Sequence, residues 1–172
     1  MKDMLVQVEP LIPALRRYAR ALVRDRSAAD DLVQDCLERA VSRWDQRRDG
    51  SVRAWLFTIL HNLAITQFRQ AATRGRHMPI DDAGERELAS AAAQEHRLIY
   101  QDVLNKLARL PEEQRAVLLL VAVEDFSYAD AAKLLDVPVG TVMSRLSRAR
   151  ERLQQEMEGV APGNVVELRS VK

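Results

Sequence analysis

Apolar residues recur at helical spacing along most of this chain and predict a protein built from helices. The clearest stripe lies near the C-terminus, where successive members are four, three and four residues apart and so share one helical face. That stripe consists of Val142, Leu146, Ala149 and Leu153. The same periodicity predicts helices over about residues 9–23, 27–44, 53–72, 94–110, 111–123 and 139–153.

The apolar periodicity is lost between about residues 73 and 93. Gly75, Pro79 and Gly84 lie there, which is typical of a linker, although its alanine-rich end is compatible with a helix. We therefore predict an all-α fold of two small helical domains joined by a flexible linker, and we expect the two lobes not to be fixed relative to one another. The boundaries are residues 1–74 and 95–158 for the domains, 75–94 for the linker and 159–172 for a frayed tail.

A helix-turn-helix is the strongest local signal, and it lies in the second lobe. Ser127, followed three residues later by Asp130, predicts a helix start, and Pro138 cannot continue that helix. The helix that follows carries four arginines within residues 141–152, next to its apolar stripe. Guanidinium and hydroxyl groups suit phosphate oxygens and base edges in a major groove. A lone basic helix is more often a solvated face, but the capped helix and turn before it favour DNA binding.

Charge supports this interpretation through its distribution, since the net charge is only +1. Residues 111–136 hold six acids against two bases, whereas residues 141–152 hold four arginines against one acid. Such local sorting is expected of a protein that meets both DNA and protein.

Several classes of site are disfavoured. The single cysteine, Cys36, excludes an intramolecular disulfide, and its place on an apolar stripe predicts a buried thiol. The three histidines lie far apart, so we assign no metal and no cofactor. Without a nucleophile–base pair or a phosphate loop, we expect neither an enzyme nor a small-molecule substrate. No apolar run approaches the ~18 residues of a membrane span and no leader opens the chain, so we expect a cytoplasmic protein without direct membrane insertion.

Four motifs, in order along the chain, resemble bacterial extracytoplasmic-function sigma factors. They are residues 30–35 (DDLVQD), 53–64 (RAWLFTILHNLA), 110–115 (LPEEQR) and 140–150 (GTVMSRLSRAR). The resemblance covers nearly the whole chain. It implies two helical domains, called region 2 and region 4, in a subunit that recruits core RNA polymerase to promoter DNA and is usually held inactive by an anti-sigma factor.

The resemblance also assigns roles to surfaces. The helix with the first motif would dock on a coiled coil of the largest polymerase subunit, and its acidic face suits a basic partner, although such a face is more often merely solvated. Polymerase-docking residues would be Asp31, Gln34, Asp35 and Glu38. Residues opening the −10 element and holding an extruded base would be Arg47, Arg48, His61, Asn62 and Arg69. Residues reading the −35 element would be Thr141, Met143, Ser144, Arg145, Ser147 and Arg148.

Two positions depart from the family pattern. Met143 stands where a basic residue is frequent, and Ser147 where a bulky or aromatic one is frequent. Because Met143 cannot donate a hydrogen bond to guanine, the −35 sequence is not predicted. We expect Arg148 to read a base and Arg145 to grip the backbone.

Two other functional classes stay open at this point. A helix-turn-helix repressor or activator would need no polymerase-docking face. A sigma mimic that sequesters an anti-sigma factor should have lost its DNA-facing arginines, whereas Arg145, Arg148 and Arg150 are present.

Overall fold

The computed structural model describes residues 2–47, 50–73 and 91–158. Within these ranges the chain forms eight α-helices and no strand, which confirms the all-α prediction. Arg48, most of the predicted linker and the predicted tail lie outside the described residues. The helices are α1 (Lys2–Val8), α2 (Ile12–Val23), α3 (Arg26–Ser42), α4 (Val52–Thr73), α5 (Ala91–Ala108), α6 (Glu112–Leu118), α7 (Tyr128–Leu135) and α8 (Val139–Glu158).

The first lobe is built around α2, which packs against both α3 and α4. Helix α3 begins earlier than predicted, because the carboxylate of Asp25 accepts hydrogen bonds from the amides of Ser27 (2.8 Å) and Ala28 (3.1 Å). The spacing of Ser27 and Asp30 predicts Ser27 as the capping residue, but in the structure Asp25 caps α3. The buried core of this lobe comprises Leu15, Tyr18, Leu22, Ala29, Leu32, Cys36, Leu56, Phe57 and Leu60.

The N-terminal helix α1 was not predicted. It precedes a 3₁₀ turn at Glu9–Leu11 that contains Pro10, and α2 begins directly after that turn. Met4 and Val8 are nevertheless buried. Tertiary packing therefore stabilises a helix that the nearby prolines made difficult to predict from the sequence. At the far end of α3 the helix stops at Ser42, and a second 3₁₀ turn, Trp44–Gln46, leads into the loop before α4.

The second lobe contains the predicted helix-turn-helix. The hydroxyl of Ser127 accepts a hydrogen bond from the amide of Asp130 at 3.0 Å and caps α7 as expected. Asp136 then adopts the left-handed conformation (φ 54°), which ends α7 and turns the chain into α8. Helices α6 and α7 both pack against α8. Directly after α6, Leu119–Val123 form a short π-helix.

The two lobes lie against one another, in contrast to the expectation of unfixed lobes. Helix α2 contacts α5 and α6, while α4 contacts α7. At the centre of this contact the rings of Phe57 and Phe126 meet edge to face, with centroids 5.1 Å apart. The expectation was based on the lack of apolar periodicity in the linker. That pattern carries no information about whether the surfaces of the two lobes bind each other.

Candidate protein and nucleic-acid interfaces

An acidic face on α3 is the first candidate interface. Asp31, Gln34, Asp35 and Glu38 are all exposed, while the opposite side of α3 is buried in the lobe. The Gln34 amide donates a hydrogen bond to the Glu38 carboxylate at 3.1 Å. An open groove of about 690 Å³ runs beside this face and also exposes apolar Leu37 and Val41. The structure thus brings together all four residues predicted to dock a basic partner helix.

The loop before α4 is organised by stacked side chains. The guanidinium of Arg47 lies 4.8 Å from the centre of the Trp44 ring and donates a hydrogen bond to the Gly50 carbonyl at 3.2 Å. Trp44 in turn meets Trp55 edge to face, with centroids 6.1 Å apart. Gly50 has a φ of 147°, a conformation that favours glycine. Arg47 therefore connects the turn at Trp44 to Gly50, in addition to any contact it makes with DNA.

The inward stripe of Leu56, Ile59, Leu60 and Leu63 predicts His61 on the outer face of its helix, but the structure buries this side chain. His61 is only 7% exposed, and its Nδ1 lies 3.0 Å from the Tyr18 hydroxyl. Burial lowers the pKa of His61 to about 4, so the ring is neutral near pH 7. His61 thus offers no surface to DNA in this structure. Asn62 and Arg69 are exposed and lie seven residues apart on one side of α4, so both can face a nucleic acid together.

The recognition face of α8 divides its arginines into two environments. Arg148 is exposed, as are Ser144, Ser147 and Met143, the last with 53% of its surface accessible. Thr141 is half-buried, and its carbonyl accepts a hydrogen bond from the Ser144 hydroxyl at 3.1 Å. Arg145 is also half-buried, and its guanidinium lies 2.7 Å from the carboxylate of Glu113 on α6.

A polar cluster between the lobes was missed by the sequence analysis. The carboxylate of Glu124 is 1% exposed and accepts two hydrogen bonds from Arg17, from Nε at 2.8 Å and Nη2 at 2.9 Å. Arg53 lies 3.5 Å from the same carboxylate and also donates to the main-chain carbonyl of Glu124. The Arg53 guanidinium stacks 4.4 Å from the centre of the Phe126 ring. The only local signal was an acidic residue directly after a long apolar run.

The described part of the chain holds no cluster of three or more histidine, cysteine or carboxylate side chains suited to a metal ion. Cys36 is buried as predicted, and burial raises the pKa of its thiol to about 12. Among the described helices, none combines the length and apolar character needed to cross a bilayer.

Comparison with known proteins places each lobe. The family model described as the Sigma2 domain of PhyR matches residues 8–61, and the model of Sigma-70 region 4 matches residues 100–153. The ECF RNA polymerase sigma factor EcfG of Rhodopseudomonas palustris is 39% identical over 146 residues, which cover 83% of this chain and 78% of that protein.

Two solved structures resemble the whole fold. The sigma factor RpoE from Bartonella quintana, in complex with the anti-sigma factor NepR, has a TM-score of 0.79 at 34% identity over 92% of this chain and 98% of its own. The PhyRSL–NepR complex from Sphingomonas sp. Fr1 has a TM-score of 0.63 at 27% identity over 98% and 96% of the two chains.

Proposed function

Because this chain belongs to the extracytoplasmic-function RNA polymerase sigma factors, we propose that it is an alternative sigma factor that binds core RNA polymerase and directs it to promoter DNA. The observation that carries this function is that one chain presents both an acidic docking face on α3 and an exposed helix-turn-helix recognition face on α8. A simple DNA-binding repressor would need only the second.

Each surface then has a separate task. The α3 face binds a basic coiled coil of the polymerase, since opposite charge steers and orients such a contact. Asn62 and Arg69 on α4 contact the opened −10 element, where the strand is single. The recognition helix α8 enters the major groove of the −35 element, with Arg148 at base edges and Arg145 at the backbone.

An anti-sigma factor is the proposed regulator. RpoE and PhyRSL, the two structural relatives, are each found in complex with NepR. We place the protein in the cytoplasm, with core RNA polymerase and promoter DNA as its partners. It would act without catalysis of its own, and without a cofactor or small-molecule substrate.

Run-off transcription tests the proposal directly. Purified core polymerase would be combined with this protein on a library of promoter templates, with core polymerase alone as the control. We expect transcripts from a subset of templates that share sequence near −10 and −35. If the protein binds core polymerase yet yields no transcript above the control on any template, the sigma-factor function is wrong.

A sigma mimic is the second candidate, because the model matching the first lobe is that of the PhyR Sigma2 domain. Such a mimic would sequester an anti-sigma factor and initiate no transcription. The same run-off assay separates the two functions. A repressor or activator would differ again, since it would bind duplex DNA but show no affinity for core polymerase.

A further inference from the structure

The cluster between the lobes joins parts of the chain that are distant in sequence. Glu124 is separated by 107 residues from Arg17 and by 71 from Arg53. Both guanidiniums belong to the first lobe, and the carboxylate belongs to the second. A carboxylate that is 1% exposed depends on these two cations, because a buried charge without a partner is strongly unfavourable. Replacing either arginine while the lobes stay in contact would leave that buried charge short of a partner, whereas separating the lobes would return it to water.

Promoter geometry requires that the lobes do separate. Elements centred near −10 and −35 are about 25 base pairs apart, which is roughly 85 Å along B-form DNA at ~3.4 Å per base pair. A compact chain of 172 residues has a radius of gyration of about 16 Å, and so a diameter of about 40 Å. With its lobes in contact, the protein cannot engage both elements at once.

A second buried group opposes the contact. Arg115 on α6 is 4% exposed, and its Nε and Nη1 have no hydrogen-bond acceptor in the described part of the chain. Burial, together with the nearby charge of Arg24 on the first lobe, lowers the pKa of Arg115 to about 10. An unsatisfied buried donor costs free energy that water would recover on opening. The charge-assisted hydrogen bonds from Arg17 and Arg53 to Glu124 therefore favour the closed form, while the unpaired donors of Arg115 favour the open form.

We propose that Glu124, Arg17 and Arg53 form an interlobe latch that holds the free protein in a closed form unable to span a promoter. Arg115 opposes this latch by favouring the open form. This inference rests on the proposed function for the consequence of closure, which is that the protein cannot span a promoter. The contact between the lobes does not depend on that function. The two buried groups act in opposite directions, so both contribute to the free-energy difference between the closed and open forms, which binding of polymerase must overcome.

The test measures the distance between lobes in the full-length free protein. Fluorescent dyes would be attached to cysteines introduced at Arg43 and Lys133, both exposed, while the buried Cys36 stays unlabelled. We expect a short dye separation in the parent protein. Glu124→Gln and Arg17→Gln should each raise the open-to-closed ratio about tenfold or more, and the double variant should open little further. Arg115→Met should shift the ratio the opposite way.

Asp125→Asn is the matched control. It removes one carboxylate next to Glu124, at an exposed position whose left-handed backbone suits asparagine, and it should leave the dye separation unchanged. Circular dichroism shows whether each variant is folded. If Glu124→Gln unfolds the second lobe, Arg17→Gln decides, because that side chain is half exposed on the surface of the first lobe.

Two results would overturn the latch: an unchanged dye separation in folded Glu124→Gln and Arg17→Gln, or equal opening in Asp125→Asn. The run-off assay of the parent protein is independent of this measurement. Opening of the latch variants without any transcription would disprove the sigma-factor function and leave the latch in place. If the parent protein supports transcription but the latch variants are no more open than the parent, only the latch is disproved.

Discussion

The Tyr18 hydroxyl lies 3.0 Å from Nδ1 of His61, and this polar pair is buried within the apolar core of the first lobe. Burial raises the pKa of Tyr18 and lowers that of His61 to about 4, so both groups are held in their neutral forms. One hydrogen bond thus satisfies two side chains that would otherwise be unfavourable in a core. The pair belongs to the framework that supports α4 rather than to the surface that meets DNA.

We therefore expect the stability of the protein to fall in mild acid. The unfolded chain binds a proton on His61 near pH 6.5, whereas the folded chain resists it until about pH 4. Stability present above pH 6.5 is lost progressively as the pH falls to 4, by up to ~3 kcal/mol. Urea unfolding at pH 7 and pH 4.5 would measure this loss, and His61→Gln should reduce it. Equal losses in both proteins would show that His61 does not carry the effect.

The thiol of Cys36 should be inert in the folded protein. It is buried, donates a hydrogen bond to the Leu56 carbonyl at 3.4 Å, and has its pKa raised to about 12 by burial. Because the thiolate is the reactive form, alkylation at pH 8 should be at least about 100-fold slower than in urea-unfolded protein. Mass spectrometry of the reaction over time measures both rates. Rapid labelling without denaturant would indicate that the first-lobe core opens readily.

Helical periodicity was enough to predict the helix-turn-helix and most of each lobe core, because those features depend on neighbours three or four residues away. It failed for His61 because α4 packs against α2, α3 and α7, so its buried arc is wider than a single apolar stripe suggests. It also failed for Glu124, since the partners of that carboxylate lie 71 and 107 residues away and no local pattern encodes them.

Charge reversal on α3 should weaken binding to core polymerase. Asp31→Lys combined with Asp35→Lys replaces two exposed acids on the docking face, and we expect the dissociation constant to rise about tenfold or more. Fluorescence anisotropy of labelled protein titrated with core polymerase provides the measurement. Asp102→Lys with Glu158→Lys changes the net charge equally on the second lobe and serves as the control. Undiminished affinity in the α3 variant, with helical content retained, would remove this face from the interface.

The two arginines of the recognition helix should behave differently on promoter variants. Arg148→Ala should cost roughly 1–3 kcal/mol on templates carrying the preferred base at one −35 position, and little on others. Arg145→Ala should weaken all templates alike and lower the slope of log affinity against log salt by about one. Binding of each variant to duplexes that carry different −35 sequences, measured at several salt concentrations, separates the roles of the two arginines. A uniform effect of Arg148→Ala would reject its base-reading role.

The ion pair of Arg145 with Glu113 adds a further expectation. Glu113 partly neutralises Arg145 at 2.7 Å, so Glu113→Gln should strengthen binding to every −35 variant by about two- to fivefold at low salt. Glu112→Gln, next along α6 and also exposed, is the matched control. Equal strengthening by both variants would mean that net charge, rather than the ion pair, is responsible.

The long sequence separation of the interlobe contacts bears on the order in which the protein folds. Contacts within each lobe close short loops, whereas joining Glu124 to Arg17 closes one of more than a hundred residues, which costs more entropy and forms late. During synthesis the first lobe leaves the ribosome before Glu124 has been translated. Every nascent chain therefore passes through an interval in which its proposed polymerase-docking face is complete, while the part of the second lobe that would close over the first has not yet been made.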